Sequence, residues 1–73
     1  MTAKETRLLL KNVPLKLVNH GVEVFGSKEN FAEWLSKKNF FFDKKAPMEF
    51  TNTADGLQVI DDRLTGIEYG DNV

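Results

Sequence analysis

The sequence predicts an all-α fold: a small compact bundle of four to five short helices. Three observations carry that expectation. Apolar residues recur at helical spacing, as in Leu57, Ile60, Leu64 and Ile67 and again in Phe31, Trp34 and Leu35. Good N-caps, Ser27 and Thr53, stand just ahead of those stripes. Gly26 and Gly70 stand where a helix has to close.

From the N-terminus, Thr2 followed by Glu5 has the spacing of a capping box, so a short helix is expected within residues 1–12. Leu8-Leu9-Leu10 is too brief a run to separate helix from strand by period. These leucines either cover the core, the favoured reading, or form an exposed interaction patch. Asn12-Val13-Pro14 is a boundary, with Pro14 suited to the first turn of a second helix. Leu17, Val18, Gly21, Val22 and Phe25 form its stripe. Gly21 costs about 1 kcal/mol relative to alanine inside a helix, which is tolerable where another backbone packs close.

Ser27 to Lys38 reads as an amphipathic helix. Phe31, Trp34 and Leu35 face inward, and Lys37 and Lys38 suit the negative end of the dipole. Asn39 to Lys45 reads as a loop containing Phe40, Phe41 and Phe42. A loop this apolar has to tuck one or two rings inward, and the sequence leaves open whether the cluster is buried within the chain or at an interface. Pro47 opens a short helix to Phe50. The last helix runs from an N-cap at Thr53, with Asp55 in its first turn, to Gly70. Asp71 to Val73 is expected to be a mobile tail. The expected core is Phe25, Phe31, Trp34, Leu35, Leu57, Ile60 and Leu64.

The chain has 73 residues, 10 basic and 11 acidic side chains, a net charge of -1 and no cysteine. A domain of this size buries only about 60% of its unfolded surface. Such a core supplies roughly 3–5 kcal/mol. Without disulfides or thiolate metal sites, a partner or self-association is the expected support, so a homo-oligomer is expected. The balanced charge offers no broad basic field for nucleic acid. No apolar run is long enough to span a membrane and no signal peptide is evident, so a cytoplasmic protein is expected.

Catalytic chemistry is not expected, and neither is a metal or a cofactor. His20 is the single histidine, and it reads as a surface or packing residue. Ser27 and Ser36 lack an evident base. Asp61 and Asp62 point about 100° apart on a helix and cannot easily share an ion. With Glu68 they read as a solvated face. Phe25-Gly26-Ser27 is no phosphate loop, having one glycine and no preceding strand. Phe31 and Trp34 sit at core spacing rather than on a base-stacking surface.

Val24-Phe25-Gly26-Ser27-Lys28-Glu29, Ala32-Glu33-Trp34-Leu35, Pro47-Met48-Glu49-Phe50, Thr53-Ala54-Asp55-Gly56, Val59, Leu64 and Ile67-Glu68-Tyr69-Gly70 together resemble the toxin-binding domain of the Xre/MbcA/ParS antitoxins. The likeness runs from about Leu17 to Gly70, and it suggests a division into an extension (1–14), a toxin-binding-like domain (15–70) and a tail (71–73). The middle loop departs from the family pattern, with Phe40-Phe41-Phe42-Asp43-Lys44-Lys45 in place of asparagine-proline and glycines. Phe50-Thr51 replaces a leucine pair, and Thr65-Gly66 stands where an arginine is usual. Only Met1 to Leu15 precedes the likeness, too short for a helix-turn-helix domain, so operator binding is not expected.

The resemblance implies the neutralising half of a toxin–antitoxin pair. The usual partner is a RES-type toxin that consumes NAD, whose active site the antitoxin's C-terminal region occludes. Carried over, the toxin-binding residues are Arg63, Ile67, Glu68, Tyr69 and Gly70. Two alternatives stand beside this reading. One is a small DNA-binding or regulatory accessory protein using Lys37, Lys38, Lys44 and Lys45; the other is an orphan helical interaction domain with a different protein partner.

Overall fold

Each of the longer helices begins where the sequence supplies a cap or a proline. In the computed structural model, which describes residues 2–70, the Thr2 hydroxyl accepts a hydrogen bond from the Glu5 amide at 3.1 Å. The Glu5 carboxylate accepts one from the Thr2 amide at 3.1 Å. This reciprocal pair opens α1 (Ala3–Leu10) and settles the ambiguous N-terminal stretch as helix. Thr6 and Leu10 are buried on its inner face and Leu9 is half-buried, while Leu8 is exposed. The leucine run therefore divides between core and surface.

Pro14 stands one position earlier than expected. Its backbone is extended (ψ 141°), and it precedes α2 (Leu15–Phe25) rather than forming its first turn. It serves as a cap through its carbonyl, which accepts from the Leu17 and Val18 amides at 3.0 Å. The helix closes on Gly26, whose φ of 88° lies in the left-handed region that side chains disfavour.

Ser27 then caps α3 (Lys28–Ser36), its hydroxyl accepting from the Asn30 amide at 3.1 Å. This helix ends two residues short of Lys38. Lys37 is extended (φ -96°, ψ 145°), so neither Lys37 nor Lys38 sits in a last helical turn. The extension carries Asn39 to an antiparallel bridge with Lys45, where the Asn39 amide donates to the Lys45 carbonyl at 3.0 Å.

Between those bridged residues, Phe40–Phe42 forms one 3₁₀ turn, capped by the Asn39 side chain on the Phe41 amide at 3.0 Å. Asp43 and Lys44 return the chain through the left-handed region (φ 56° and 64°). The turn divides its rings: Phe42 is buried, and Phe40 and Phe41 are outside. A second 3₁₀ turn, Pro47–Phe50, leads to α4 (Ala54–Glu68). Thr53 caps α4 by accepting from the Gly56 amide at 2.9 Å.

The core draws on all four helices, with Val13 and Phe42 added from the segments between them. Phe31, Ala32, Leu35, Ile60 and Leu64 are fully buried and Trp34 nearly so; Phe25 and Leu57 pack half-buried against them. The rings run in sequence across the domain. Phe25 and Trp34 lie 5.4 Å apart, Trp34 meets Phe42 edge-on at 5.8 Å, and Phe42 meets Phe50 at 5.2 Å. Aromatic pairs at these separations add roughly 0.5–1.5 kcal/mol each beyond area burial, which matters in so small a core.

Two glycines permit the approach. At Gly21 a β-carbon would run into the Phe31 ring, so the close neighbour there is a side chain rather than the expected backbone. At Gly56 a β-carbon would meet the Phe50 carbonyl, so α4 does lie directly on neighbouring backbone. α1 packs on α3, and α4 packs on α2 and on the Pro47–Phe50 turn. The fold is thus an all-α small bundle. The expected tail, residues 71–73, lies outside the described residues, as does Met1.

Candidate functional site

The C-terminal half of α4 emerges from the core with two differently furnished sides. Ile60 and Leu64 hold it down, and Ile67 continues that stripe half-buried. The last turn is closed by hydrogen bonds. The Tyr69 amide donates to the Thr65 carbonyl at 3.1 Å and the Gly70 amide to the Ile67 carbonyl at 3.0 Å. Gly70 takes a left-handed φ of 103°, as expected of a closing glycine. Gly66 leaves this pattern intact. Tyr69 is 84% exposed and projects from the end of the helix with no ring packed against it among the described residues.

On one side, Arg63 is half-buried and places its guanidinium over the Phe41 ring, 3.6 Å from the centroid. This ties α4 to the phenylalanine turn. On the other side, α4 meets His20 of α2. His20 Nδ1 lies 2.7 Å from Asp61 Oδ1, and Nε2 lies 3.1 Å from Glu68 Oε1. Asp61 and Glu68 are therefore not the purely solvated face expected of them; only Asp62 of the three is left to Gln58, which donates to it at 2.9 Å.

Chemistry dictates the charge of this cluster. A neutral imidazole donates from one nitrogen only, whereas two carboxylates both require a donor. The cluster is complete with an imidazolium. The Asp61 hydrogen bond, joined by that of Glu68 and by both negative charges, accordingly raises the His20 pKa against the opposing effect of burial. Glu68 also stands at the negative end of the α4 dipole, an unfavourable place for a carboxylate, and the His20 cation offsets that. Because the two carboxylates occupy opposite ring nitrogens, they do not converge on a common point. Among the described residues no group of histidine, cysteine or acidic side chains is arranged to hold a metal ion.

Of the five residues assigned to toxin binding, Ile67, Glu68, Tyr69 and Gly70 are gathered at one helix end. Arg63 lies one turn back on the Ile67 side, while Glu68 is turned towards α2. Sequence reasoning missed His20 as the partner of this helix. A signal existed in the spacing of Asp61 and Glu68 (i, i+7), which puts two carboxylates on one stripe and calls for a cation opposite. It also missed Phe41, which no periodicity connects to Arg63.

The model of the antitoxin Xre/MbcA/ParS C-terminal toxin-binding domain matches residues 20–70. The chain belongs to that family. The Xre/MbcA/ParS match begins at His20 in the middle of α2 and takes in the whole of α3, both 3₁₀ turns and α4, so every residue just described falls within it. Neither the comparison with curated proteins nor that with solved structures gives a match. An antitoxin toxin-binding domain implies a toxin as partner and a regulatory role. Among the described residues no helix is long and apolar enough to cross a membrane.

Proposed function

We propose that this chain neutralises a RES-type, NAD-consuming toxin by occluding its active site with the end of α4 and the residues that follow. The observation that carries this reading is the exposed last turn within a toxin-binding family match. Tyr69 stands out at the helix end beside Ile67, on a helix anchored by Ile60, Leu64 and the His20 contacts. A ring presented on a rigid helix end loses little conformational freedom on binding. Occlusion is steric and asks no chemistry of the antitoxin. Arg63, Ile67, Glu68, Tyr69 and Gly70 are the proposed contacts.

We place the toxin-binding unit at residues 15–70, with 1–14 as an extension and 71–73 as a tail, acting in the bacterial cytoplasm as a homo-oligomer. Leu8 and Leu15 (61% and 72% exposed) supply apolar surface that self-association would cover. Duplex DNA is not a proposed partner. Co-expression with the protein encoded beside it tests the function. Restored growth and a co-purified complex are expected. Unrelieved toxicity with no complex would overturn the reading.

A further inference from the structure

Residues 37–45 hold four lysines against one aspartate, a local charge of +3 in a chain of net charge -1. All four lysines are exposed, and the Asn39–Lys45 bridge brings the two pairs together at the base of one turn. That turn presents Phe40 and Phe41 outward, 80% and 52% exposed, with their rings edge to face at 6.0 Å.

The display is held rigidly. Phe42 anchors the turn in the core, the Asn39 side chain caps it, and two consecutive non-glycine residues hold left-handed backbone. Such backbone is disfavoured for side-chain-bearing residues and persists where the surroundings impose it. Behind the rings lies a recess of about 340 Å³ lined by Trp34, Lys37, Lys38, Asn39, Phe40 and Phe41.

We infer that this turn is a second contact surface for the toxin, fitting an apolar recess rimmed by carboxylates on that protein. The inference rests on the toxin-binding reading and enlarges its site. Aromatic and arginine side chains are the usual anchors of protein interfaces, and here Arg63 over Phe41 makes the turn continuous with the proposed contacts of α4.

A second copy of this chain fits poorly. A two-fold contact would set the same patch against itself, opposing +3 to +3. Single-stranded nucleic acid fits poorly too. Successive bases need parallel faces to stack on, whereas these rings stand at 87° and Arg63 already covers one face of Phe41.

The experiment is calorimetric titration of the purified protein encoded beside this chain with wild type, with Phe40→Ser/Phe41→Ser, and with Lys37→Glu/Lys38→Glu/Lys44→Glu/Lys45→Glu, at low and high salt. Thermal melts confirm that each variant folds. The serine variant is expected to weaken binding at least about tenfold. The glutamate variant is expected to weaken it and to reverse its salt dependence, binding then improving as salt screens the repulsion. Wild-type affinity in both variants would overturn the second surface and leave the toxin-binding reading standing. No binding by wild type would overturn both. Loss of a homodimer or of oligonucleotide binding in the serine variant, with toxin affinity unchanged, would assign the turn to another occupant and overturn the inference.

Discussion

His20 Nδ1 lies 2.7 Å from Asp61 Oδ1, joining the middle of α2 to the outer half of α4 across 41 residues of chain. The same imidazole reaches Glu68 at 3.1 Å, so one side chain ties down the helix that ends in Tyr69. The His20 pKa is raised in the folded state, chiefly by Asp61. Folding therefore gains from this contact fully below the unfolded value of about 6.5, and the gain is lost as pH rises through the raised folded value. The carboxylates are almost half exposed, which limits the contribution to about 0.5–1 kcal/mol. The stability difference between wild type and His20→Gln is expected to be largest below the unfolded value of about 6.5 and to shrink as pH rises through the raised folded value. Chemical denaturation at several pH values measures it, and an equal difference at every pH would rule out the imidazolium.

Asp61→Asn should act on the same group from the other side. It removes the main cause of the raised His20 pKa and should bring the histidine's NMR titration back towards about 6.5. Glu68→Gln should produce a smaller shift in the same direction.

Gly56 offers a test in which two effects oppose. Alanine gains about 1 kcal/mol of helix propensity. The added β-carbon, however, meets the backbone carbonyl of Phe50, which cannot swing away as a side chain would. Overpacking of this kind costs typically 1–3 kcal/mol, and a clash with backbone stands at the upper end, so Gly56→Ala is expected to destabilise by about 2 kcal/mol net. A melting temperature equal to or above that of wild type would show that α4 lies farther from the Pro47–Phe50 turn.

Local features of this fold were legible because their causes are local. Thr2 with Glu5, Ser27 and Thr53 each announce a helix within four residues of themselves, and Gly26 and Gly70 close helices by a backbone freedom visible in their identity. The Phe31–Trp34–Leu35 and Ile60–Leu64 stripes follow from helical period alone. The His20 contacts were not legible, since a single histidine has no period and its partners lie 41 and 48 residues away. The division of Phe40, Phe41 and Phe42 was hidden for another reason. It depends on left-handed backbone at Asp43 and Lys44, where no glycine signals a turn, and on the Asn39–Lys45 bridge, which shortens α3 at its end.

The core should be unforgiving. Leu35 is fully buried in the core cluster, and Leu→Ala at such positions costs about 2–5 kcal/mol. That is comparable with the roughly 3–5 kcal/mol a domain of this size holds. Leu35→Ala is expected to be largely unfolded at 37 °C by circular dichroism, whereas Tyr69→Ala, on an exposed ring, should melt within a few degrees of wild type.

That contrast makes Tyr69 the decisive residue for function. NAD consumption by the purified protein encoded beside this chain, measured against increasing amounts of the chain, tests the central claim most directly. The occlusion account predicts inhibition that saturates near stoichiometric addition. It also predicts at least about a tenfold loss of potency for Tyr69→Ala with folding unchanged. Undiminished NAD consumption at a large excess of wild-type chain, or full potency of Tyr69→Ala combined with Ile67→Ala, would contradict it.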